Sequence, residues 1–259
     1  MWSQVNGIQF WQDDALAESG GVVHGFVTRT VPDSDSAGPH SGAKESLPRA
    51  LAALGLAERC LVEAEQVHGA EVGVVDEEWS ERARGDGCIV PGVDALITRR
   101  DDVCLSLHFA DCVPVFVTDQ AGSFVGLAHA GWRGLAAGIP GQVVAALVRE
   151  YRVRPAHLRV ALGPAIGPCC YEVGEDVVAL LAGRSGPTEQ WLRTRAGRPY
   201  VDLRAVARGQ LVAAGVPGES ISADEHCTAC EPGRFASYRR DGDAAGRMTA
   251  VMARALAGS

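Results

Sequence analysis

The sequence has no run approaching 18 consecutive apolar residues in its 259, so it offers no membrane span. Positive charge is also short: 24 Lys and Arg stand against 32 Asp and Glu, a formal net charge of −8. A general nucleic-acid binder gains affinity by neutralising phosphates with Lys and Arg, and this balance argues against one. Any phosphate bound here must be held by local arginines against the overall field. Methionine is scarce, at three residues, and the seven histidines include no His-x-His pair. That argues against a multicopper cluster built from such pairs, and an axial methionine for a blue-copper site would have to come from Met248 or Met252. Eight cysteines are too dilute for a disulfide scaffold and are expected as thiols. The CxxC of Cys227 and Cys230 has no second CxxC to join it, so spacing excludes a four-cysteine structural zinc. The H-x-E…P-C-x-x-C signature of the zinc deaminases is absent. Met1–Phe10 lacks the basic and apolar regions of a signal peptide and reads as the mature start of a cytosolic protein.

What is present is ordinary for a globular chain: 47% hydrophobic and 22% charged residues, with enough length for a sizeable core. One domain over residues 1–259 is expected, with surface loops at Val31–Pro48 and Gly183–Pro199. Strand signals crowd the first half, at Val22–Thr28, Glu71–Val75, Val93–Thr98, Val103–Phe109, Val113–Thr118 and Ser123–Ala128, with a further one at Leu158–Leu162. Helical spacing marks Ile139, Val143 and Leu147, and again Leu203, Val206 and Leu211 after the N-cap Asp202. Ala50–Leu56 and Glu175–Ala182 read as short helices, and Met248, Val251, Met252 and Ala255 as a last amphipathic helix. There is no room for regular parallel crossovers between Glu71 and Ala128, which predicts an α+β fold with a largely antiparallel or mixed sheet.

His68 precedes a strand, Cys112 follows one, and His129 ends one. Residues at strand ends are aimed by a rigid sheet while loops leave access. Two histidines and a cysteine converging there would make a three-ligand metal site with an open position, although half-buried, satisfied side chains explain the same spacing. His108 alternates with Cys104 and Ser106 and reads as a polar residue on the wetter face of its strand; His24 is structural or pocket-lining. Arg133, near the helix around Ile139, and Arg239, before the last helix, are anion-site candidates. The Gly/Pro-dense turn Leu162–Tyr171 brings backbone near a ligand and presents Cys169 or Cys170. Asp111, beside Cys112, is a candidate general acid or an orienting partner for a ligand.

The segments HGFVTR, QVHG, ADCVP, HAGWRG, LGPAIGPCCYEVG, CT and SYRRDG followed by GR span Val23 to Arg247. Together, in this order, they resemble the family named both multicopper polyphenol oxidase (laccase-like) and purine nucleoside phosphorylase. The resemblance implies a single-domain layered α/β/β/α fold with mixed sheets, akin to the cytotoxic-necrotizing-factor hydrolase fold. It implies Zn2+ (copper being the lesser alternative) on His68, Cys112 and His129. The activity implied is phosphorolysis of purine nucleosides (the adenosine, inosine and methylthioadenosine class), with adenosine deamination beside it. Arg29, Cys170, Tyr171 and Arg239 match the motifs as substrate-side candidates, and Asp111 and Arg133 as catalytic ones. Two departures fall on one side of the pocket: Thr28-Arg29 runs into Thr-Val-Pro-Asp-Ser-Asp rather than a Gly-rich turn, and Pro48-Arg49 stands where the family has Asn-Arg. The partners expected are a purine nucleoside and phosphate, with no nucleic acid and no membrane. Two rival chemistries stay open: a copper-dependent oxidation of phenols, and a cysteine hydrolase or amidase acting in peptidoglycan editing with Cys112 as nucleophile.

Overall fold

Alternation in the strands explains how the layers form. In Val103–Phe109, Leu105, Leu107 and Phe109 face one way and Cys104 and Ser106 the other, and both sides are covered. The computed structural model describes residues 1–5, 7–18, 20–28, 42–83 and 87–256. Its first sheet has seven strands in the spatial order Trp2–Val5, Ile8–Trp11, Val22–Val27, Met248–Arg254, Val103–Phe109, Cys60–Ala64 and Cys88–Val90. The second has six, in the order Ile221–Ala223, Leu158–Leu162, Val113–Asp119, Val125–Ala130, Ala95–Thr98 and Val72–Val74. Both sheets mix parallel and antiparallel pairs: Cys60–Ala64 runs parallel to Val103–Phe109, whereas Val125–Ala130 is antiparallel to both of its neighbours.

Three apolar layers follow. Leu105, Leu107, Met252, Phe116, Leu127 and others pack between the two sheets. On the far face of the second sheet, Val113, Val115, Val117 and Val160 meet the helices Ile139–Tyr151 and Leu203–Ala213 through Val143, Leu147, Val206 and Leu211. On the far face of the first sheet, Cys104, Val251 and Ala253 pack against Leu47 and Leu51 of the helix Gly42–Ala53 and Leu54 just after it. This is the mixed α+β layering expected of the sequence. Among the described residues, no helix is long and apolar enough to cross a membrane.

Three segments differ from the sequence reading. Residues 248–254 form a strand, not a helix, paired on one side with Val22–Val27 and on the other with Val103–Phe109. The run Met-Thr-Ala-Val-Met-Ala is buried on both faces, and periodicity cannot separate a doubly buried strand from a buried helix. The stretch 183–199, expected as a loop, holds most of a hairpin, Leu192–Arg195 with Arg198–Val201. Ala196 and Gly197 turn it with φ of 49° and 74°, the positive values a two-residue hairpin turn needs. The helix expected at Ala50–Leu56 begins at Gly42, ends at Ala53 and carries Pro48 inside it, with Leu47 and Leu51 packed on the first sheet. Elsewhere Glu175–Ala182 is a helix as read, and Asp202 caps Leu203–Ala213 by accepting from the backbone N–H of Arg204 and Ala205.

Candidate metal centre and its cavity

The antiparallel register pairs His129 with Pro114 and Ala130 with Val113. The end of one strand thereby abuts the start of the next, and Cys112 comes to lie beside Gly131. His68 reaches the same point from the loop that carries the chain from the first sheet, at Ala64, to the second, at Val72. One donor atom each from His68, Cys112 and His129 lies within 4.8 Å of the others. The two imidazole rings stand edge to face, with centroids 4.8 Å apart.

Backbone and second-sheet groups fix this arrangement. Asp94, fully buried, accepts the backbone N–H of His68 at 2.9 Å and of Gly69 at 2.6 Å. Its Oδ1 lies 3.0 Å from His129 Nδ1, which assigns the Nδ1–H tautomer and turns Nε2 toward Cys112. Burial pushes the Asp94 carboxyl up, but these hydrogen bonds outweigh it and hold it below its ordinary value. Burial likewise raises the Cys112 thiol, yet the charge of His129 and hydrogen bonds from His129 and His68 bring it down to about 7. Burial lowers His129, and the Cys112 and Asp94 charges raise it to about 9. Gly131 is required by space: a Cβ there would sit 2.8 Å from Cys112 Sγ. Two imidazoles and a low-lying thiol are the donor set of a borderline divalent ion, with three protein ligands leaving a position open. The residues therefore fit a metal.

The three donors line a cavity of about 920 Å³, within the size range of small-molecule sites. Asp111, Arg133, Tyr171 and Arg239 line it as well. Arg133 lies in the first turn of a helix that starts at Trp132, one helix earlier than expected, with its guanidinium over the Trp132 ring at 4.3 Å. Arg239 stacks over Tyr171 at 4.8 Å and donates to the backbone oxygen of Glu172 at 2.7 Å. Burial, reinforced by Cys112, pushes the Tyr171 hydroxyl up to about 12, so it is a donor at neutral pH. Both Asp111 carboxylate oxygens are engaged, one by the Thr228 hydroxyl at 2.6 Å and the other by the Arg239 N–H at 2.7 Å. This geometry favours its orienting role over that of a general acid. Cys170 is not among the residues lining this cavity; it turns toward Cys169, Cys227 and Cys230. Arg29 lies outside the described residues, as does most of the altered segment after it.

His24, left between a structural and a pocket-lining role, is structural: it is fully buried and its Nε2 accepts the Asp13 N–H at 2.8 Å. His108 is half-exposed as expected, but the face it occupies is the cavity wall, where Nε2 lies 2.8 Å from Glu63 Oε1. Cys104 and Ser106, on the same side of that strand, are fully covered. Sequence reasoning missed Asp94, Gln66, Glu63 and Arg247. Asp94 carried a signal, a carboxylate leading the apolar run Ala95–Thr98, which folding tolerates only if the charge is satisfied. Gln66 locks its loop to the neighbouring strand by exchanging two hydrogen bonds of 2.8 Å with the His108 backbone. Strain concentrates here: Gln66, His68 and Asp111 have φ of 56°, 61° and 85°, three of five non-glycine positive values among the described residues.

With the geometry in place, comparison with known proteins decides the family. A family model described as multi-copper polyphenol oxidoreductase laccase matches residues 24–255. The chain belongs to this family. It is 45% identical to the purine nucleoside phosphorylase YlmD of Geobacillus stearothermophilus over 197 residues, covering 73% of this chain and 70% of that protein. It is 37% identical over 190 residues to the adenosine deaminase RL5 of an unknown prokaryotic organism, covering 72% of each. The crystal structure of Geobacillus stearothermophilus YlmD superposes with a TM-score of 0.86 at 36% identity, covering 98% of this chain and 99% of that one. The four-cysteine exclusion drawn from spacing fails, since Cys169 and Cys170 supply the pair that a second CxxC would have given.

Proposed function

We propose that the chain, acting as one domain, is a zinc-dependent purine nucleoside phosphorylase with adenosine deamination as a side activity. The observation that carries this reading is the set of His68, Cys112 and His129 opening onto a cavity that three arginines also line. The relatives named for nucleoside phosphorolysis and adenosine deamination support it. His68, Cys112 and His129 would hold the ion, which when bound supplies Lewis acidity at the open position. Arg133, Arg239 and Arg247 line the cavity, and none has an ion-pair partner among the salt bridges of the described residues, so they can receive phosphate charge. Trp132 and Tyr171 offer aromatic walls to a purine, and the Tyr171 hydroxyl a donor. In phosphorolysis, phosphate attacks C1′ of the ribose, the N-glycosidic bond breaks, and the base departs with a proton. His108, whose Nε2 lies 2.8 Å from Glu63 Oε1 on the cavity wall, is placed to serve that transfer. Water in place of phosphate directs attack to C6 of adenine and releases ammonia.

Incubating metal-replete protein with adenosine, with and without phosphate, tests this. The expected products are adenine and ribose 1-phosphate only when phosphate is present, with a smaller yield of inosine in either case. Absence of turnover across adenosine, inosine and methylthioadenosine would overturn the reading. The Cys112–His129–Asp94 chain also supports a second reading, with Cys112 as a nucleophile paired to a His129 that Asp94 orients. Chelation separates the two: activity lost on metal removal and restored by added zinc marks Cys112 as a ligand, and activity kept without metal, with a thiol reagent mapped to Cys112 abolishing it, marks it as a nucleophile.

A further inference from the structure

Away from the three-donor centre, Cys169, Cys170, Cys227 and Cys230 gather from segments more than fifty residues apart, with their sulfurs within 4.8 Å of one another. Cys230 Sγ lies 3.5 Å from Cys169 Sγ and 3.4 Å from Cys170 Sγ. A zinc ion bound at about 2.3 Å by four tetrahedral thiolates sets its sulfurs about 3.8 Å apart, so only small shifts separate this cluster from a closed site. The backbone is shaped for it. Gly167 accepts the Cys170 and Tyr171 N–H groups in a tight turn that presents two adjacent cysteines to one side. A Cβ on Gly167 would meet Cys169 Sγ at 3.1 Å and Cys227 Cβ at 3.3 Å. The Gly167 N–H donates to Cys227 Sγ at 3.2 Å, a bond that strengthens when the sulfur is a thiolate. Two guanidiniums border the cluster, Arg195 on the Cys169 carbonyl and Arg239 on the Cys170 carbonyl, where they offset the surplus negative charge of four thiolates around one divalent ion.

We infer that Cys169, Cys170, Cys227 and Cys230 form a second, closed tetrathiolate site that binds one structural zinc ion per chain. All-sulfur tetrahedral coordination favours this class of metal, and four protein ligands leave no position for substrate. Binding releases the thiol protons to solvent and leaves all four sulfurs as thiolates. The site staples the turn that carries Tyr171 to the segment that carries Thr228, whose hydroxyl holds Asp111. A metal with no part in the chemistry would thus hold one wall of the cavity. The inference does not depend on the proposed activity.

The test uses the full chain with Cys112→Ser, which removes one ligand of the other centre and keeps the cluster intact. Metal-free protein is titrated with Co2+. The expected result is one equivalent bound with intense thiolate-to-cobalt charge-transfer and tetrahedral visible bands. The bands are lost when Cys230→Ser is added, and one equivalent of zinc displaces the cobalt. Elemental analysis of the wild type should give one more zinc per chain than the Cys169→Ser/Cys230→Ser variant; if that variant fails to fold, the cobalt spectrum of Cys112→Ser decides alone. Absence of the charge-transfer bands would overturn the inference. So would iron in place of zinc, or a thiol count of six rather than eight in the unreduced, denatured wild type, which would show a disulfide instead.

Discussion

At the scale of single residues, the centre rests on Asp94. It makes three hydrogen bonds, two to the loop that carries His68 and one to His129 Nδ1. Asp94→Asn keeps the shape but replaces one acceptor oxygen by a donor, so it should weaken metal binding by about 10- to 100-fold in chelator competition while the far-ultraviolet spectrum stays unchanged. Unchanged affinity would show that His129 needs no such partner. His24 gives a second test. Burial lowers it to about 4, against a small opposing pull from Asp13, whereas the unfolded side chain titrates near 6.5. The unfolded chain therefore binds more protons between these values. The stability this residue contributes is whole above about pH 6.5 and is lost as pH falls toward 4, on the order of 3 kcal/mol in all. Thermal melts from pH 7 to 4 should show a shallower acid slope for His24→Gln than for the wild type. The convergence of His68, Cys112 and His129 was legible from the sequence because each stands inside a distinctive motif, Cys112 and His129 at the ends of neighbouring strands and His68 in the loop before one. Asp94 and Gln66 were not, because their roles depend on which backbone N–H and C=O groups the fold leaves facing them.

At the scale of elements, the strands in the first half announced themselves by alternation, and the two helices over the second sheet by helical spacing and the Asp202 cap. The final strand did not, since its neighbours in the sheet lie about 140 and 220 residues earlier and bury both of its faces. Local sequence carries no trace of such partners. The hairpin after residue 191 was obscured in the same way by Pro199 and by polar, exposed strands, and its turn rests on Ala196 rather than on an Asn-Gly pair. The inter-sheet layer gives the prediction proper to this scale. Leu107, fully buried, pairs in register with Ala250 and packs between the sheets, so Leu107→Ala should cost about 2–5 kcal/mol in denaturant unfolding. A loss under 1 kcal/mol would mean that the two sheets are not closely packed there.

At the scale of the whole molecule, the proposed function asks an acidic chain to attract phosphate. The net charge of −8 opposes the anion, and the arginines of the cavity must overcome it locally. Arg133→Ala should therefore raise the KM for phosphate on the order of tenfold, corresponding to about 1.4 kcal/mol, and change the KM for nucleoside less. Equal effects on both would place Arg133 outside the phosphate site. The layered fold aims rigid strand ends of the second sheet at a loop arriving from the first, so that three donors meet. The most direct measurement is anomalous diffraction at the zinc edge from crystals grown with phosphate. The expected result is an ion held by His68, Cys112 and His129, with a water or phosphate oxygen as its fourth ligand. An ion enclosed by four protein ligands at this position, or no ion density between these three side chains, would contradict the account.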